Sequence, residues 1–245
     1  MNRLAVVILS GMLFVGASVS ASPLDTITIK THPPNITNGT MFLWGGPVKG
    51  GEAIGGIYRF DVSTSDPPTG EGALLVRDPA TGLLDAFCIE LLQDPPTSFS
   101  TFQVVMPEDA PIPGDFIPGP MGHQKQEELR ELWGRYFGTA KASGGAAEVF
   151  SACVWEIVYE DNDTVWDVTT LGSADGRGFR CTGADTTLAN TWLGSLDGTG
   201  PLANLRGLTN TEDQDFLAET PEPATVTLLV LGGGALALIH GRRRK

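Results

Sequence analysis

QKQEELRELWGRYFG (residues 124–138) and AAEVFSACVWEIVYED (residues 146–161) are the stretches that set the fold class. In the first, Leu129, Leu132, Trp133, Tyr136 and Phe137 recur at i, i+3, i+4, i+7 and i+8, the spacing of one apolar helix face. In the second, Phe150, Cys153, Val154, Ile157 and Val158 repeat that spacing, while Ser151, Trp155 and Tyr159 form a further stripe. The second helix is therefore expected to be buried on two sides, and Lys141–Gly145 between the two reads as a flexible turn.

Upstream the apolar period falls to two, the strand period. LDTITIKT from Leu24, MFLW at 41–44, AIGGIYRFDVST at 53–64 and STFQVVM from Ser100 read as strands. ALLVRDPATGLLDAFCIELLQ at 73–93 reads as a hairpin turning at Asp78–Gly82. Five prolines between residues 106 and 122 exclude regular structure there. Downstream of the helices, a last helical stretch is expected near Leu188–Leu196, and 197–220 looks loop-like. The sequence thus implies an α+β body over 22–218, a β-rich domain with a two-helix insertion, and no repeat of 20–50 residues interrupts it.

Both termini differ from this body. Arg3 precedes an apolar run from Leu4 to Val15, and Val19-Ser20-Ala21 fits a small-residue cleavage site, so residues 1–21 read as a signal peptide. Ala224–Ile239 is uncharged and apolar, long enough for a minimal membrane span. Arg242, Arg243, Arg244 and Lys245 follow it as a membrane-stop cluster that stays cytoplasmic, placing the body outside. Pro221, Glu222 and Pro223 stand just before the span, and two prolines keep that tripeptide extended and accessible. In this order, tripeptide, span and basic tail over 219–245 resemble the PEP-CTERM sorting signal of bacterial exported proteins. The resemblance implies processing by exosortase, a membrane-embedded cysteine transpeptidase. It implies transient inner-membrane anchoring, then release to the cell surface or extracellular matrix, often beside exopolysaccharide.

Composition narrows the partners. The chain holds 16 basic and 29 acidic residues; setting aside Arg3, the four C-terminal bases and Glu222 leaves 11 and 28, a net charge of −17. Such a body excludes nucleic acid and anionic membrane surfaces as partners. Cys88, Cys153 and Cys181 all lie in the exported part, where a disulfide can form, and three pairings are open. No Cys-x-x-Cys, paired-histidine, Gly-x-Ser-x-Gly or phosphate-loop pattern is present, so no cofactor and no enzymatic constellation is expected. Glu160, Asp161, Asp163 and Asp167 group in YEDNDTVWD at 159–167 and offer a weak cation site without EF-hand spacing. An extracellular hydrolase using a carboxylate pair is an alternative for which nothing in the sequence selects the pair.

FCIELLQ at 87–93, the helix VFSACVWEIVYED and QDFL at 214–217 carry a second resemblance, to thioester-domain-like proteins of bacterial surfaces. In reactive members a cysteine and a glutamine condense into an internal thioester that captures amines or hydroxyls, which implies adhesion. Cys88 matches the cysteine, and Trp155 and Glu156 match the Trp-Glu pair. Ser151 stands at the glutamine position and a hydroxyl cannot supply the acyl group, so the chain is expected to lack the thioester and its body to be a non-enzymatic binding or structural module. The alternative is an adhesin that binds its targets non-covalently, or covalently through an unexpected glutamine. The resemblance also makes Cys153 a disulfide candidate for Cys88, in competition with Cys153–Cys181. Positions 151 and 153 point about 200° apart on a helix, which weighs against the first pairing.

Overall fold

The computed structural model describes residues 25–45, 48–112, 119–160, 165–171 and 178–221. Among them, six antiparallel strands close into a barrel: β1 (Thr26–Thr31), β4 (Tyr58–Val62), β5 (Leu84–Cys88), β9 (Phe216–Thr220), β8 (Asn204–Thr209) and β6 (Ser100–Val105), in that spatial order. A three-stranded sheet of β3 (Val48–Ala53), β2 (Met41–Gly45) and β7 (Phe179–Thr182) lies outside the barrel. Helices α1 (His123–Ala140) and α2 (Gly144–Tyr159) form the expected insertion between β6 and β7, and α3 (Thr186–Leu193) follows. A β-rich body with helices is thus observed, with a closed barrel at its centre.

Aromatic rings fill the barrel. Phe216 on β9 meets Phe60 at 4.8 Å, Tyr58 at 5.3 Å and Phe102 at 6.2 Å between centroids. The register sets Phe216 opposite Cys88 and Tyr58 opposite Ala86, so Ala86 and Cys88 share this inner face. Phe87 points the other way, against Phe150 on α2 at 4.3 Å and Trp133 on α1 at 5.6 Å. Every residue of β5 is buried for this reason: one face fills the barrel and the other lies under the helices. Helix α2 is buried continuously from Ala147 to Tyr159, as its two stripes imply. Its start is fixed by Ser143, whose hydroxyl accepts the Ala146 N–H at 3.2 Å.

Several expectations are corrected. Residues 53–64 are two strands in different sheets, broken at Gly55-Gly56. Gly56 has φ +150°, and a Cβ there would strike the Ile36 carbonyl, so the sharp exit from β3 needs glycine. The 73–93 hairpin is absent: its turn forms at Asp78, but β5 pairs with β4 and β9, and only an isolated Arg77–Leu84 bridge remains. Most consequentially, 197–220 is not loop but supplies β8 and β9. Phe216, Leu217 and Ala218 are all buried, so β9 shows none of the alternation by which a half-exposed strand is recognised. β9 also runs to Thr220, past the expected body boundary at 218. No helix among the described residues is long and apolar enough to cross a membrane. The proposed signal peptide and span lie outside the described residues.

Candidate functional site

The segment leaving β5 is held by α2. One helical turn apart, Trp155 Nε1 donates to the Cys88 carbonyl at 3.0 Å and the Tyr159 hydroxyl donates to the Ile89 carbonyl at 3.1 Å. Tyr159 also accepts the Leu91 N–H at 3.2 Å. A turn earlier on the same stripe, Ser151 accepts the Gly56 N–H at 2.7 Å. The second stripe of α2 is therefore a row of polar tips satisfying buried backbone groups that neither sheet pairs.

Cys88 and Gln214 meet at this segment. The Cys88 thiol donates to the Glu90 carbonyl at 2.6 Å, and Gln214 Nε2 donates to that same carbonyl at 2.8 Å. Both side chains are buried, and Gln214 Oε1 has no hydrogen-bond partner among the described residues. Backbone bonds fix the two chains: Ile89 N–H to the Asp215 carbonyl and Gln214 N–H to the Asp94 carbonyl, each 3.0 Å. Position 151 carries a hydroxyl committed to Gly56, whereas Gln214, just before β9, bonds the Glu90 carbonyl that the Cys88 thiol also bonds. The sequence had drawn attention to QDFL without assigning its glutamine.

Two carboxyls flank the pair. Burial raises Glu90 to about 6, against the N–H groups of Asp215 and Leu92 that favour its ionised form. Burial raises Asp215 to about 7, opposed by the Asn210 N–H and reinforced by the nearby Glu90 charge. The Cys88 thiol is pushed far above its ordinary value, first by burial and further by these two carboxylates, despite favourable bonds to Glu90 and Trp155. Cys88 is thus a neutral thiol near neutral pH, with Glu90 and Asp215 as the titratable groups that raise it further. Gln214 and Trp155 also line an open pocket of 460 Å³ bordered by Glu52, Ile54, Leu91 and Asp94. The carboxamide thereby has a route to solvent.

The other candidates separate. All three cysteines are buried free thiols, so the expected disulfide is not formed. Cys153 turns towards the Ala189 carbonyl on α3, 3.6 Å away, on the side of α2 opposite the Trp155 stripe that faces Cys88. Burial pushes the Cys181 thiol up to about 12, and burial with the Cys181 charge also raises Cys153, so those two thiols share one environment. Of the acidic group, Glu160 accepts the Phe179 N–H at 3.1 Å. Asp167 binds the Thr169 N–H and hydroxyl and Asn190 Nδ2; these bonds outweigh its partial burial and hold it below the usual carboxylate range. Asp161 and Asp163 lie outside the described residues, and no group of three metal-ligating side chains occurs among the described ones. Pro221 directly follows β9, its carbonyl accepting from Asn204 Nδ2 at 3.3 Å. Glu222, Pro223 and Arg242, Arg243, Arg244 and Lys245 lie outside the described residues.

Residues 219–245 match the PEP-CTERM protein-sorting motif. The chain therefore carries the signal of an exported protein processed by exosortase at the membrane and passed to the surface. No curated protein and no solved structure matches the chain.

Proposed function

We propose that this protein is a non-enzymatic surface capture module, sorted by exosortase, in which Cys88 and Gln214 condense into an internal thioester. One observation carries this: thiol and carboxamide are buried together and donate to a single carbonyl oxygen, that of Glu90. Cys88 Sγ adds to Gln214 Cδ, ammonia departs with the thiol proton, and an Sγ–Cδ thioester remains. A target amine then adds to that carbonyl, the C–S bond breaks, an amide forms and the Cys88 thiol returns. Each molecule reacts once, so this is covalent adhesion rather than catalysis. Glu90 and Asp215 relay the proton in both steps, and the pocket lined by Gln214 and Trp155 admits the target amine. A hydrolase based on this carboxyl pair is disfavoured because both groups are buried beside a thiol rather than set across a cleft.

The test is the intact mass of the secreted protein, with and without the processing enzyme. The expected product ends near Pro221 and weighs one ammonia less than its sequence. Methylamine should add to it, and neither Cys88→Ala nor Gln214→Ala should show the deficit or the addition. A secreted body of full sequence mass with unreactive Gln214 would overturn the thioester. A product unchanged in length without the enzyme would overturn the processing.

A further inference from the structure

The outward face of the small sheet carries Phe42 and Trp44 on β2 and Arg180 and Thr182 on β7, set level by the pairings Phe42–Thr182 and Trp44–Arg180. The two rings lie 4.5 Å apart, and Phe42 is 37% exposed. The Arg180 guanidinium sits 4.6 Å from the centre of the Trp44 ring, which orients it. Beside it opens a cleft of 180 Å³ lined by Trp44, Thr169, Arg180, Cys181, Thr182 and Thr186. Among the described residues, Arg180 is the only charged member of that lining. Its Nε is buried and has no hydrogen-bond partner among the described residues. The described residues supply it no acceptor, so the Arg180 charge is left to be met by a ligand in the cleft. Thr169 has given its hydroxyl hydrogen to Asp167, so towards the cleft it can only accept.

We infer that this cleft binds a carboxylate-bearing sugar unit of an acidic polysaccharide. The carboxylate pairs with Arg180, sugar hydroxyls bond to the three threonines, and the apolar face of the ring packs on Phe42. An inorganic anion would use the arginine and leave the aromatic face idle. A neutral sugar would use the rings and leave the Arg180 donor open. The carboxylated sugar alone employs every group present. The body's net charge of −17 repels polyanions at long range, so selectivity rests on these short contacts.

The site is independent of the thioester and is tested separately, by calorimetric titration of the secreted protein with polygalacturonate, dextran and inorganic phosphate. Saturable binding of polygalacturonate without binding of dextran is expected, and Cys88→Ala should leave it unchanged. Arg180→Gln should weaken it by about tenfold or more. Thr182 is exposed, so Thr182→Val should weaken binding at an unchanged melting temperature, which separates a lost contact from a lost fold. Equal affinity for dextran, displacement by millimolar phosphate, or an Arg180→Gln variant that binds like the parent would each overturn the assignment.

Discussion

Buried acids are the residues on which the chemistry and the pH response of this protein turn. Glu156 sits one position after Trp155 on α2, its Oε1 accepting the Asp167 N–H at 2.7 Å and its Oε2 without a partner among the described residues. Burial raises it to about 9, the Glu160 and Asp167 charges adding to the effect against the Asp167 N–H. In the unfolded chain this carboxyl ionises near its ordinary value of 4.5, whereas the native protein keeps its proton to about 9. Between those values the folded state binds more protons, so the contribution of Glu156 to stability is complete below pH 4.5 and declines as pH rises towards 9. The slope is at most about 1.4 kcal/mol per pH unit. Glu156→Gln, which keeps the Asp167 acceptor, should flatten the dependence: urea midpoints at pH 5 and pH 8.5 should differ less in the variant than in the parent. An unchanged difference would place the titration elsewhere.

At the scale of elements, α2 does two jobs with two faces. Its apolar stripe packs on α1, α3 and the outside of β5, while Ser151, Trp155 and Tyr159 tie down the chain around Gly56 and residues 88–91. Trp155→Phe keeps the packing but strips the buried Cys88 carbonyl of its donor, at a cost of about 1–3 kcal/mol. Because that bond also positions the thiol, the variant should carry less thioester by intact mass. Trp133→Phe on α1 is the control. It keeps a ring against Phe87, loses a bond to Glu219 at 3.2 Å and leaves the donor on the Cys88 carbonyl in place, so it should lower the melting temperature while leaving the thioester fraction intact. Equal thioester loss in both would mean that general loosening, not positioning, governs the site. The helix pair and its double burial were legible from spacing alone, since 3.6-residue periodicity survives in any buried helix. The partners of the polar stripe were not, because a hydroxyl or indole records nothing in sequence about which distant backbone group it will satisfy.

For the molecule as a whole, the decisive feature is that the barrel closes last. β8 and β9 join β6 to β5, and the sorting motif begins within the last two residues of β9. A chain stopped at Pro221 should therefore melt cooperatively like the parent body. One stopped at Ala203 leaves the barrel open on β5 and β6, exposes Phe60 and Phe102, and should aggregate or fail to melt cooperatively. Cooperative melting of the shorter chain would show that the barrel does not need its closing strands. Sorting and acidity were written in the sequence, because a sorting motif and net charge act through local composition that holds in any fold. The α+β class was legible for the same reason, through its two helical periods. Barrel closure and the meeting of Cys88 with Gln214, more than a hundred positions apart, were settled only in three dimensions. β9 is buried on both sides and so has no alternation to read, and the pairing of a thiol with a carboxamide depends on the register of two strands that only the packed barrel fixes.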